Sequence, residues 1–439
     1  MILLRSEKQR GKYGRSIVEH RRVASENRSD DRPESFDACA CEETIQKSLN
    51  DAGLIATEAA LKYLDTDGSV IEIAGDVMRT KGEQPKAYQT PYGEVVVERH
   101  VYQRSGGGKT YCPLEREGRI IITSTPLFAK QVSSKLAAGS ARDVQRDLAE
   151  NHSRPVAVSY IQHVSEAVAS IIEAKEESWN YVPPKLNVEV HSVAIGLDGT
   201  CMLLCDTGWR EAMVGTVSLY DALGERAHTI YLGATPEYGK ARFLERLERE
   251  IQRTKARYPQ ATYIGIADGA ASNWQFLNRH VHEQILDFYH ASGYLSAVAV
   301  ALYPEDLPQQ KQWLHQSCHQ LKHDPGAATQ LYQQMLELTH AQARPKTIQE
   351  NLNAAVTYFQ NHRHQMNYAL YRDKHYPIGS GVTEAACKTV IKQRLYCSGM
   401  RWKETGAAVV LSLRTLVLTP TRWSQFWNKL NQYGFPVAL

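Results

Sequence analysis

What this chain lacks narrows its possibilities before any motif is read. No apolar run reaches the roughly eighteen residues that a membrane-spanning helix needs, and Met1-Ile2-Leu3-Leu4 is too short for a secretory signal core. The expectation is a protein without a membrane span, working in the cytoplasm. The eight cysteines (39, 41, 112, 201, 205, 318, 387 and 397) are scattered through 439 residues. In a large chain with no secretory signal, that scatter argues for free thiols and against a disulfide frame. A strong charge of one sign is missing too, since the formal net charge is +3. Any nucleic-acid contact must therefore come from local basic patches and not from a global field. Nothing marks the chain as disordered or fibrous: 43% hydrophobic and 23% charged residues are ordinary for a globular chain long enough for two or three domains.

The N-terminal half reads as a series of local units. Residues 1–34 mix Arg and Lys with Asp, Glu and Ser and have almost no apolar pattern beyond the first four, so residues 1–42 are expected to form a mobile arm. From Glu43 to Leu64 apolar residues recur at helical spacing until Asp65-Thr66-Asp67-Gly68, which predicts one helix or a broken pair. Ala87 to Tyr102 alternates β-branched and polar residues and reads as a β-hairpin, completing a helix-and-hairpin region over residues 43–125. The Gly106-Gly107-Gly108-Lys109 string lacks the spacing of a phosphate loop and follows no buried strand. Residues 126–178 turn helical: Leu127–Ala138, Ala141–Glu150 and Val158–Ala174, broken at Gly139-Ser140 and at Ser153-Arg154-Pro155. The last two helices, joined by a short polar turn, have a helix-turn-helix outline, with Ser159, Gln162 and His163 opening the helix that would face a major groove. Such outlines also occur in bundles that touch no DNA. Trp179 to Lys185 reads as a linker.

The second half alternates strands with a helix and then becomes helical. Val188 to Leu197 is a nearly continuous apolar strand that runs into Asp198-Gly199, placing the acid at a strand mouth. Strand-like runs at Glu211–Tyr220 and Arg226–Leu232 and a helix at Glu237–Tyr258 follow. Ala261 to Ala267 is a second buried strand with the same ending, Asp268-Gly269. Asp-Gly is a common turn dipeptide, but two buried strands closed by it, in this order, fit a ribonuclease-H-like core with a mixed five-stranded sheet. A fifth strand is expected at Gln284–Asp287, so residues 186–290 form the first part of that core and residues 291–376 an α-helical insertion. Within the insertion His315, Cys318, His319 and His323 share a helical face. One helix cannot surround a tetrahedral metal, so they are packing and surface residues. The His280-Val281-His282 triplet would suit a tyrosine-nucleophile strand transferase only on a central strand, whereas here it closes a helix.

The densest stretch is Pro377 to Trp402, in the C-terminal part of the core, residues 377–439. Ile378-Gly379-Ser380-Gly381 is a flexible loop in which Ser380 or Thr383 can cap a following helix, with Glu384 in its first turn. At helical spacing Lys388 and Lys392 share a face with Glu384, and Arg394, Arg401 and Trp402 follow. A capped surface helix with Glu–Lys pairs would look the same. The two upstream Asp residues favour chemistry: three carboxylates suit two Mg²⁺ ions, with Mn²⁺ able to substitute, about 3.5–4 Å apart across a scissile phosphodiester. Asp198 would bridge the ions, Asp268 hold one and Glu384 the other.

The strings IGLDGT (195–200), IADGAASNW (266–274), LDFYHASGYL (286–295) and above all PIGSGVTEAACKTVIKQRLYCSGMRW (377–402) resemble the DDE-type insertion-sequence transposases of bacteria, the Kra-type group in particular. The resemblance spans roughly Lys86 to the C-terminus and leaves residues 1–40 unplaced. It implies a ribonuclease-H-like core interrupted by an α-helical insertion and preceded by a DNA-binding region. Asp198, Asp268 and Glu384 would be the metal ligands, and double-stranded DNA (transposon ends and target) the substrate. A homodimer or higher oligomer on DNA is implied, because two ends must be joined. His290, in Asp287-x-x-His290, is placed near the scissile phosphate, although a buried hydrogen-bonded histidine would serve the motif as well. Lys388, Lys392, Arg394, Arg401 and Trp402, with Ser159 and Gln162, make up the expected DNA contacts. Two other readings stand beside it: a retired, DNA-binding descendant, and a ribonuclease-H-like nuclease or resolvase.

Overall fold

The computed structural model describes residues 37–175, 178–341, 344–397 and 399–433. Most of the expected N-terminal arm lies outside them. Helix α1, Ala38–Tyr63, is continuous and starts before Glu43, where Asp37 caps it by accepting from the Ala40 amide at 3.1 Å. Only its C-terminal half packs, against strand β3 below. Strands β1 (Ile71–Ile73), β2 (Asp76–Thr90) and β3 (Gly93–Arg104) form an antiparallel sheet, so the hairpin is longer than Ala87–Tyr102. Its tip is Pro91-Tyr92, where the Thr90 hydroxyl accepts from the Tyr92 and Gly93 amides.

A short helix α2 (Pro113–Glu117) precedes α3 (Pro126–Ala138), α4 (Ala141–His152) and α5 (Val158–Lys175). The breaks form where the chain chemistry demands them. Ser140 and Asp143 make a reciprocal capping box at the start of α4, and Ser153 ends it in a left-handed conformation (φ 52°). The three helices are not a free-standing unit. Their core of Phe128, Val132, Leu148, Ile161, Val164 and Val168 is shared with Leu413, Phe426 and Trp427 from the end of the chain. The expected linker is correspondingly not loose: Trp179 and Tyr181 are both 8% exposed, and Val182 pairs through its amide and carbonyl with the Gln425 side chain.

The second half is built on a mixed five-stranded sheet of order β6-β5-β4-β7-β8. Strands β4 (Ser192–Leu204), β5 (Gly208–Tyr220) and β6 (Arg226–Ala234) run antiparallel, and β7 (Thr262–Ala267) and β8 (Glu283–Leu286) extend β4 in parallel. Helix α6 (Lys240–Arg257) makes the crossover between β6 and β7, and α7 (Ala271–Leu277) the one between β7 and β8. The apolar runs are nearly unbroken because both faces are covered. Val217 joins Phe243 and Leu247 of α6 on one side, while Ala212 and Val214 meet Val390 and Leu411 on the other. The fifth strand stops at Leu286, because Asp287 caps the next helix through the Tyr289 amide at 2.7 Å.

Helices α8 (Phe288–Leu302), α9 (Leu307–His323), α10 (Ala327–Ala341), α11 (Lys346–His362) and short α12 (Tyr368–Asp373) follow β8. They are rooted in the sheet's own core through Leu295, Val298, Leu331, Leu352 and Phe359. Helix α13 (Gly381–Ala386) then returns to the sheet and widens into a π-helical turn, Cys387–Lys392, before α14 (Gln393–Leu395). Helices α15 (Glu404–Leu418) and α16 (Pro420–Tyr433) close the chain against α3 and α5.

Candidate active site

Asp198 and Asp268 are brought together by strand register. Strands β4 and β7, about 4.8 Å apart, pair in parallel up to Gly196↔Ile266, so Asp198 within β4 and Asp268 just past the end of β7 both fall two residues further on. They differ in backbone state. Asp198 is not at a strand mouth as expected: β4 continues past it, paired with Val214 of β5. Asp268 has left β7, and its Oδ1 accepts from the Ala270 amide at 3.1 Å, a local turn made by the side chain itself.

Glu384 is delivered by α13, which lies unusually close to the sheet. Thr383 is buried and shares a 2.8 Å hydrogen bond with Thr216 of β5. A Cβ at Gly196 would sit 2.1 Å from the Thr383 Oγ1, so only glycine lets the helix reach β4. The expected cap is absent. Neither Ser380 nor Thr383 caps α13 with its side chain: Thr383 faces the sheet, and the Ser380 hydroxyl lies between two carboxylates, Asp287 and Glu384 (2.9 Å to the latter). Asp287, 1% exposed, anchors this bridge from the start of α8.

Asp198, Asp268, Glu384 and His290 line a single cleft together with Ser380 and Thr383. No Lys or Arg among the described residues forms an ion pair with any of the three acids, so their charge is left for something else to balance. A buried thiol reinforces Asp198: the Cys387 Sγ is 3.5 Å from its Oδ2, and burial, then the Asp198 charge, push that thiol up to about 12, which keeps it a donor. Among the described residues, no three His, Cys, Asp or Glu side chains converge closely enough to cage one ion.

The other expected contacts are distributed. Lys388 and Lys392 are exposed, as Glu384 is, but the widened turn between Cys387 and Lys392 breaks the simple i, i+4, i+8 row. Arg394 is only 4% exposed, with its Nε 3.3 Å from the Leu136 carbonyl and its guanidinium 5.0 Å above the Trp402 ring. It ties α14 to α3. Trp402 is half-buried: its Nε1 donates to the Leu395 carbonyl at 3.0 Å, and its backbone pairs with the far end of β4. Gln162, Arg394, Arg401 and Trp402 line a second groove, separate from the acid cleft, while Ser159 is exposed outside both.

The histidine alternatives do not assemble. His280 is 3% exposed in a loop and His282 accepts from the Tyr263 amide at 3.1 Å, so neither lies on a strand. His319 and His323 stack on one another at 4.4 Å, and all eight cysteines are free. Sequence reasoning missed Cys387 and the Asp287–Ser380–Glu384 bridge, whose only sequence trace is the closeness of Ser380 to Glu384. Compared with known proteins, the chain matches no protein-family model and no curated protein.

Proposed function

We propose that this chain is a DDE-type transposase that binds insertion-sequence ends and carries out metal-dependent DNA strand cleavage and strand transfer, on a ribonuclease-H-like core. One observation carries the proposal: three carboxylates from β4, the end of β7 and α13 line one cleft, and no Lys or Arg among the described residues is paired to them. The strand order β6-β5-β4-β7-β8, with the first and fourth strands side by side, supports the ribonuclease-H-like reading.

The donor set fits Mg²⁺. Hard cations of this kind are held by one or two carboxylates and otherwise by water and substrate phosphate oxygens, so a closed protein cage is not required. When bound, a pair of such ions would make the attacking oxygen nucleophilic and neutralise the leaving oxygen. Asp198, steadied by Cys387, and Asp268 would hold the ions from the sheet. Glu384 would complete the set from α13, its carboxylate oriented by Ser380. His290, exposed at the rim of the cleft, is suited to a phosphate oxygen next to the scissile bond. Lys388 and Lys392 lie exposed beyond Glu384, where a backbone would continue. In this reading two protomers pair two DNA ends.

The test is Mg²⁺-dependent cleavage of DNA carrying the element's own ends, against a scrambled end, for wild type and Glu384→Gln. End-specific nicks that leave 3′-hydroxyls and drop at least a hundredfold in the variant are expected, since one carboxylate ligand is removed. Cleavage equal on the scrambled end would mean a nuclease or resolvase, and binding without cleavage a retired DNA-binding protein.

A further inference from the structure

Beyond Asp287 and His290 at the start of α8, the helical segment between β8 and α13 makes a further contact with the acid cleft, and it falls on Asp268. Strand β7 ends at Ala267, so the Asp268 carbonyl has no ladder partner. It is taken instead by the Tyr358 hydroxyl of α11, which donates to it at 2.7 Å. The phenol is braced from behind: Tyr294 of α8 stacks on it with ring centres 4.0 Å apart and planes at 16°. It is also closed in from the front. Gly269 has φ +107°, and a Cβ there would meet Tyr358 at 3.1 Å and His362, one turn further along α11, at 3.2 Å. The Asp268-Gly269 turn is thus seated against two helices, while the neighbouring Phe359, fully buried, roots α11 in the sheet's core.

We infer that Tyr358 is a positioning residue through which the helical segment fixes the Asp268 turn, and with it the placement of one carboxylate for the divalent cation. The inference rests on the metal-binding reading of the cleft. Its physical basis does not. Asp268 is held through its side chain, bonded to the Ala270 amide, and through its carbonyl, bonded to Tyr358, and only the second tie comes from outside the turn.

Tyr358→Phe removes the hydroxyl and keeps the ring stack, so the full-length variant tests the tie alone. Two readouts are needed, neither of them catalytic. Hydrogen exchange at Gly269 and Ala270 in metal-free protein should speed up by roughly fivefold, the size of one lost neutral hydrogen bond. Binding of Mn²⁺ alone, followed by its paramagnetic resonance signal, should weaken by about the same factor relative to wild type. Unchanged exchange overturns the inference, as does faster exchange with unaltered Mn²⁺ affinity. If exchange quickens but wild type takes up no Mn²⁺ that Asp268→Asn abolishes, then the tie stands and the metal reading of the cleft falls.

Discussion

At Gly196 a missing atom shapes the site. The glycine sits in the middle of a buried strand, where it weakens the strand by itself. Its return is closeness, since Thr383 occupies the space of a side chain, bonds to Thr216 and brings Glu384 down to the two Asp residues. Gly196→Ala would force Thr383 Oγ1, 2.1 Å from the new methyl, to move away, and with it α13. The expected cost is about 1–3 kcal/mol in denaturant unfolding, typical of overpacking a dense core. Divalent-ion affinity should fall as well. Pairing the substitution with Thr383→Ser, which removes a methyl but keeps the hydroxyl, should recover little of the loss, because the oxygen is the atom in conflict.

At the scale of elements, two buried arginines hold the π-helical turn in place. Widening a helix leaves carbonyls without their usual donors, and the Arg414 Nε takes the Thr389 carbonyl at 2.8 Å. The same guanidinium reaches Ala137 at 2.5 Å, and Arg394 reaches Leu136. These are C-terminal carbonyls of α3, the end of a helix where positive charge is favoured. Arg414→Met should therefore leave two carbonyls, those of Thr389 and Ala137, unpaired at once and destabilise the protein by about 2–4 kcal/mol in chemical unfolding, more than an exposed arginine would. The contrast also explains what the sequence made legible. Helices α3, α4 and α5 were readable from apolar spacing and from Gly139-Ser140, since their causes are local. That Asp198 and Asp268 lie side by side was readable because the parallel pairing of β4 with β7 fixes it, whereas the continuation of β4 past Asp198 was not. The widened turn was not, as its partner Arg414 stands 25 residues away, nor was the burial of Arg394, which looks like any basic residue beside an exposed lysine row.

On the scale of the whole molecule, α3, α4 and α5 share one core with the last two helices, and a buried ion pair fastens α16 to α6. Arg422 of α16 meets Glu250 of α6, both under 10% exposed, while Arg253 holds the other Glu250 oxygen at 2.7 Å. His228 of β6 lies beside this pair, with a buried Nε2 that has no hydrogen-bond partner. Burial, then the Arg422 charge, lower its pKa from the ordinary value of 6.5. His280 is lowered too, mainly by burial and further by Arg279 and Lys255, against the pull of Glu248. The sign follows from proton counting. With the folded values depressed, the unfolded chain binds more protons just below pH 6.5, so stability is full above that value and falls as the pH drops toward the folded values. Denaturant midpoints measured between about pH 8 and pH 5 should decline below 6.5, and His228→Gln should flatten the decline by its own share. A variant whose midpoint tracks wild type across that window would show that His228 takes up its proton in the folded state without cost, despite the neighbouring guanidinium.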